Sequence, residues 1–194
     1  MKHVLILAVT LCLTVGSVST AFAEVPEWLT GSPAPIGILA GMKLMDDGDW
    51  DPVDQQGCAG IRLDIGAKEW PVLVAFDATY SKDEGSFNNV DVEGNCTDLY
   101  LGVRKYFDQG SFQPFIGGGV NWCKAEATAR LGAISASADE DGVGFWVSTG
   151  VVVPINENFS LGLDLKYAKT EVEYPGIDAE AGGFSPSAII GFRF

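Results

Sequence analysis

The feature that most constrains this chain is a period of two: apolar and polar residues alternate through eight segments between Ile36 and Phe194. Successive side chains of a strand point to opposite faces, so strict alternation specifies strands and argues against helices. The seventh segment is the cleanest, with Phe159, Leu161, Leu163, Leu165 and Tyr167 on one face and Ser160, Gly162, Asp164 and Lys166 on the other. The same reading places strands at 36–44, 61–68, 72–80, 98–104 and 188–194. The fifth (115–123) is blurred by Gly117, Gly118 and Gly119, and the sixth (144–153) by Val151, Val152 and Val153. In the fifth, Ile116, Gly118, Val120 and Trp122 are assigned to the apolar face.

The connections alternate in length. Short turns fall near Glu69-Trp70, Asp108-Gln109-Gly110 and Asn156-Glu157-Asn158, while long acidic loops cover 45–59, 82–95, 124–142 and 169–184. Pro35, Pro71, Pro114 and Pro154 stand at strand ends on the short-turn side, where a missing ladder donor does least harm. An even number of strands, with short turns at one end and long loops at the other, predicts an all-β fold: an eight-stranded antiparallel up-and-down transmembrane β-barrel.

Alternation alone does not separate a membrane barrel from a soluble one, in which the apolar face fills the interior. The positions of aromatic and charged residues do. Tyr80, Trp122 and Tyr167 are each the last apolar residue on the outward face of an ascending strand, and the next outward positions are Lys82, Lys124 and Lys169. Aromatics belong at the membrane–water boundary, and a lysine two residues on marks where that face leaves hydrocarbon. The opposite face carries Lys43, Arg62, Arg104, Lys166 and Arg193 against Asp64, Asp77, Asp98 and Asp164. Such a balanced set fits a paired network inside the lumen, because unpaired buried charge is very costly.

The chain resembles the small eight-stranded outer-membrane barrels, the families of outer membrane protein X and of the transmembrane domain of outer membrane protein A. The resemblance rests on the strand pattern, the glycine-rich stretch Gln113-Pro114-Phe115-Ile116-Gly117-Gly118-Gly119-Val120 and the terminal Phe192-Arg193-Phe194. It implies an integral protein of the bacterial outer membrane in contact with lipid and lipopolysaccharide. It also implies a C-terminal assembly signal, Phe192 and Phe194, read by the barrel-assembly machinery.

The N-terminus fits this compartment. Met1-Lys2-His3, an apolar run to Val15 and the small-x-small sequence Ala21-Phe22-Ala23 form the pattern of a secretory signal peptide. The expected organisation is a signal peptide over 1–23, a periplasmic segment over 24–34 and a barrel domain over 35–194. His3 is the only histidine, so an exported chain has none. It thereby lacks the usual general base and the commonest transition-metal ligand. The net charge of −14 excludes a nucleic-acid binder, which needs a basic footprint. No cofactor and no enzyme activity are expected.

Four smaller expectations follow. Cys96 and Cys123 lie symmetrically about the turn near Gln109-Gly110, which predicts that they face each other and form a disulfide, leaving Cys58 over; the alternatives are a bridge involving Cys58, three independent small residues, or a three-thiolate metal site. Asp46-Asp47-Gly48-Asp49-Trp50-Asp51 offers alternate oxygen ligands, but Pro52 and Cys58 stand where a calcium loop needs glycine and glutamate, so a solvated loop is expected. Lys82, Lys124 and Lys169 are candidate contacts for lipopolysaccharide phosphates. Beyond them, alternation through 124–131 and 169–174 predicts sheet protruding from the membrane. The function expected is surface interaction or envelope integrity. The alternatives are a narrow solute channel or a soluble periplasmic ligand-binding barrel.

Overall fold

The computed structural model describes residues 26–45, 47–87, 90–132, 134–174 and 177–193. The signal-peptide stretch, Asp46 and Phe194 lie outside the described residues. The strands are β1 (Ile36–Leu44), β2 (Gln55–Ile65), β3 (Leu73–Phe87), β4 (Val90–Tyr106), β5 (Gln113–Leu131), β6 (Ile134–Pro154), β7 (Phe159–Lys169), β8 (Glu171–Tyr174), β9 (Ile177–Glu180) and β10 (Gly183–Phe192). Eight of them close in the order β1-β10-β7-β6-β5-β4-β3-β2, while among the described residues β8 and β9 pair only with each other. Closure leaves the membrane-spanning backbone paired from strand to strand, as hydrocarbon requires.

The apolar positions of the period-two pattern face outward: Ile61, Val74, Leu99, Leu101, Val120, Leu163 and Ile190 are all exposed. An exposed apolar band of this extent is a lipid-facing surface, and it rules out the soluble barrel, whose apolar face turns inward. Exposed aromatics border the band at both ends. Tyr80, Phe145, Tyr167 and Phe184 lie at the loop end, and Trp70, Phe107, Phe112 and Phe159 at the turn end.

The blurred fifth and sixth strands have a packing reason. Gly117 faces the lumen, where an added Cβ would sit 3.2 Å from the Trp146 ring, and a Cβ on Gly150 would meet the Phe115 ring at 2.6 Å. Each large inward aromatic thus lies against a glycine on the neighbouring strand, since Gly117 pairs with Ser148 and Phe115 with Gly150. Small against large residues fill the taper of a narrow barrel.

Two of the four expected long loops are instead strand. β3 and β4 pair up to Phe87↔Val90, and β5 and β6 up to Leu131↔Ile134. Gly132, with φ of 60°, takes the left-handed conformation that so tight a turn needs. The expected extension of β5 past Lys124 is therefore present, and β6 accompanies it. At the seam, the β1–β10 ladder runs to Gly41↔Ser187 and resumes only at Leu44↔Phe184. The gap coincides with Pro186, which has no N–H to donate.

Candidate functional site

The lumen is built in three storeys. At the turn end Ala34, Leu39, Phe115, Val152 and Ile189 form an apolar layer with Tyr106 against it. The N-terminal segment closes this mouth. After a single 3-10 turn (Glu27–Leu29), Gly31 N–H donates to Gly66 O at 2.9 Å and Gly66 N–H to Trp28 O at 2.7 Å. The expected periplasmic segment is therefore a packed stopper, and Ser32 and Ala34 are buried in it.

The middle storey is ionic. Asp77 is its hub, with Lys166 Nζ at 2.6 Å, Arg104 Nη2 at 2.9 Å and Arg62 Nε at 3.4 Å. Arg62 reaches Asp164 at 2.7 Å, and Arg104 also pairs with Asp64. Tyr106 Oη donates to Asp64 at 2.6 Å and Ser32 Oγ to the same carboxylate at 3.3 Å. Aromatic faces hold the cations from the side: Lys166 Nζ lies 3.9 Å from the Tyr100 ring centroid, and Arg62 Cζ 5.0 Å from that of Phe115. One level up, Lys43 donates to Asp98 at 2.8 Å. A cavity of about 10 Å³ touches Lys166, Asp164, Thr79 and Cys58, which is room for about one water.

Eight of the nine charges assigned to the lumen from sequence are buried there: Lys43, Arg62, Asp64, Asp77, Asp98, Arg104, Asp164 and Lys166. Arg193 is not. It is exposed, one residue past the end of β10, with its backbone N–H on Asn158 O. Strand alternation extrapolated to the end of the chain put it inside, but β10 stops at Phe192. Sequence reading missed Trp146 and Ser32. Counting back from Val153 through the sixth strand gives Trp146 an inward parity, but Ser32 carries no periodic signal.

The loop-end storey is an apolar cap. Met45, Trp50, Val53, Cys96, Cys123, Ala125, Val172 and Ala181 pack together, and Trp50 Nε1 donates to Glu180 O at 2.9 Å. The acidic stretch read as a solvated loop contains a one-turn helix, α1 (Asp47–Trp50), which inserts its tryptophan into the barrel mouth. No group of three or more His, Cys, Asp or Glu able to hold a metal occurs among the described residues.

The cysteines depart from expectation. Cys96 pairs with Ala125, and Cys123 with Asp98, so the two lie diagonally, not opposite each other. The β4–β5 turn is centred one residue later than assumed, with Gly110 at φ 78°, and this shifts the register by two. Cys58, Cys96 and Cys123 are all free and buried.

At the loop end the charge is lopsided. The segments 45–59, 82–95, 124–142 and 169–184 hold seventeen carboxylates against four cations, a balance of −13 within a total of −14. The three outward lysines are met by carboxylates. Lys82 lies 2.9 Å from Glu84 and 3.0 Å from Glu93, Lys124 lies 2.9 Å from Asp139, and Lys169 lies 3.5 Å from Glu171. Hydrogen bonds donated to Glu84 and Glu93 raise the Lys82 pKa, those donated to Asp139 and Glu126 raise that of Lys124, and the bond from Lys82 in turn lowers that of Glu84. Of the three girdle aromatics read from sequence, Tyr80 and Tyr167 are exposed. The third, Trp122, is half-buried and donates Nε1 to Asp141 at 2.9 Å, a polar tip at the water boundary. An open groove of about 470 Å³ on the protruding sheet is lined by Glu84, Asp91, Glu93, Thr128 and Arg130.

Comparison with known proteins agrees with this architecture. A search of curated proteins found no significant match. Among solved structures, Neisserial surface protein A is 16% identical, with a TM-score of 0.53 and coverage of 82% of this chain and 94% of that one. The attachment invasion locus protein Ail of Yersinia pestis, solved with the heparin analogue sucrose octasulfate, is 12% identical, with a TM-score of 0.55 and coverage of 82% and 95%. OprG of Pseudomonas aeruginosa is 16% identical, with a TM-score of 0.53 and coverage of 84% and 98%. At these identities the likeness is one of fold. The family described as outer membrane protein beta-barrel domain matches residues 8–192. With nearly the whole chain matched and a lipid-facing barrel in the structure, this protein belongs to the outer membrane protein beta-barrel domain family and is an integral protein of the bacterial outer membrane.

Proposed function

We propose that the protein is a non-enzymatic, closed barrel that displays an acidic sheet at the cell surface for interaction with a cationic partner. The observation that carries this reading is the contrast between a lumen filled by cross-braced ion pairs and an extracellular part that holds nearly all the net charge. A plugged lumen favours display over transport. Ail was solved with a polyanionic sugar. The acidic headpiece here has the opposite complementarity and suits basic peptides or polyamine-like groups. An orientation with short turns in the periplasm supports this placement, and so does export by a signal peptide over 1–23.

Lys82, Lys124 and Lys169 contact lipopolysaccharide phosphates as members of carboxylate-bridged clusters, so the contact is weaker than bare lysines would give. Phe192, stacked on Phe159 with ring centroids 5.4 Å apart, serves with Phe194 as the signal for the barrel-assembly machinery.

The test has two arms on refolded protein in vesicles. Binding of a fluorescent oligolysine is expected, weakening steeply with salt, with no binding of sucrose octasulfate. Planar-bilayer recordings are expected to show no discrete conductance steps. Sustained steps would replace this reading with the narrow channel, and equal affinity for both probes would remove the charge argument.

A further inference from the structure

Three sulfur atoms from three separate segments meet beneath the cap. Cys96 Sγ on β4 lies 3.9 Å from Met45 Sδ, at the end of β1. Cys123 on β5 is packed with Cys96 and Met45 in the same buried cluster. Trp50, Val53, Val172 and Ala181 pack around them and keep the cluster dry. Lys43 Nζ stands 3.9 Å from Cys123 Sγ, and Cys123 Sγ donates to Ala181 O at 3.8 Å.

We propose that Met45, Cys96 and Cys123 form a three-coordinate site for a soft monovalent metal ion of the copper(I) class. Metal–sulfur bonds of about 2.3 Å in a trigonal plane place the sulfurs about 4.0 Å apart, close to the Cys96–Met45 separation. Thiolate and thioether ligands select soft ions such as copper(I), and the absence of imidazole or free carboxylate from the set disfavours hard cations. Zinc prefers four ligands in a structural site, and this cluster offers three. On binding, the two thiols release two protons to solvent, two metal–thiolate bonds and one metal–thioether bond form, and the resulting complex carries one negative charge. The Lys43 ammonium beside Cys123 faces this charge and shares itself between the complex and Asp98 at 2.8 Å, so the cluster keeps one net negative charge. No redox change of the ion or the sulfurs is involved.

The test uses the full exported chain, refolded in detergent under anaerobic reducing conditions and titrated with copper(I) against a chromophoric copper(I) chelator. One ion per chain is expected, with an X-ray absorption spectrum showing three sulfurs at about 2.3 Å. Cys96→Ser and Cys123→Ser should each weaken binding by more than about a hundredfold, beyond the 10–100-fold typical of losing an outer-shell partner. Met45→Leu should weaken it less, and Cys58→Ser should leave it unchanged. Heat-modifiable gel mobility identifies the variants that fold, and Met45→Leu tests the site even if a serine variant does not. Retention of affinity in Cys96→Ser or Met45→Leu overturns the proposal, as does an absence of stoichiometric binding. A Cys96–Cys123 disulfide in protein taken directly from outer membranes also overturns it, because the sulfurs are then a covalent brace.

Discussion

Asp77 on β3 and Lys166 on β7 meet at 2.6 Å although their strands lie on opposite sides of the closed barrel. The pair therefore spans the lumen, and because Asp77 also holds Arg62 and Arg104, one carboxylate ties three walls together. Replacing Asp77 with Asn leaves these cations short of a partner in a space without bulk water. Breaking a buried ion pair by removing one partner costs about 3–5 kcal/mol, and that loss is expected in urea-unfolding titrations of vesicle-embedded protein. A loss below about 1 kcal/mol, the range of surface pairs, would show that the lumen is hydrated.

Gly117 predicts a steric effect. Its missing side chain admits the Trp146 ring, so Gly117→Leu overpacks the wall and should cost about 1–3 kcal/mol. Combining it with Trp146→Ala should recover part of the loss. Equal losses in the single and double variants, read by the same unfolding titration, would disprove the contact.

Trp50 closes the loop-end mouth. Truncating a packed tryptophan to alanine costs about 3–5 kcal/mol, and each 1.4 kcal/mol off a local opening is a factor of about ten. Trp50→Ala should thus raise the rate at which a water-soluble maleimide labels Cys96 and Cys123 by at least tenfold. An unchanged rate would mean that reagent reaches the thiols by another route.

The β3–β4 extension should depend on pH in a defined direction. Glu84 has a lowered pKa and Lys82 a raised one, each through their mutual hydrogen bond. The carboxylate contributes above its unfolded pKa and loses its effect as pH falls through the lowered folded value. The lysine contributes below its unfolded pKa and loses its effect as pH rises through the raised folded value. Proteolytic protection of the hairpin is therefore expected to be flat between the ordinary carboxylate and lysine ranges, about pH 5 to 10, and to fall on both sides. Lys82→Met should abolish both limbs, and a dependence that survives it points to other groups.

Much of the barrel was legible because lipid on one side and a packed lumen on the other enforce alternation of residue type. Strands β3, β4 and β7 carry it cleanly, and eight of the nine predicted lumen charges are buried. Where the wall is made of glycine opposite an aromatic ring, as at Gly117 and Trp146, side-chain chemistry no longer alternates and parity becomes unreadable. Register was equally hidden. A one-residue difference in the centre of the β4–β5 turn moved Cys123 from opposite Cys96 to opposite Asp98. The cap escaped notice because Trp50 comes from a segment whose acidic composition reads as solvated, and only the tertiary structure shows that its side chain turns inward.

The lopsided charge of the molecule has a consequence for how copies share a membrane. On the proposed orientation, with a balance of −13 on the outward loop-end segments and near neutrality elsewhere, each barrel is an electrical dipole standing along the bilayer normal, and all copies stand the same way up. Their headpieces repel over a range of about 8 Å at physiological ionic strength and about 30 Å in dilute media. Lateral spacing in the outer leaflet then becomes a function of the salt outside the cell: the barrels disperse in fresh water and are free to crowd in brine.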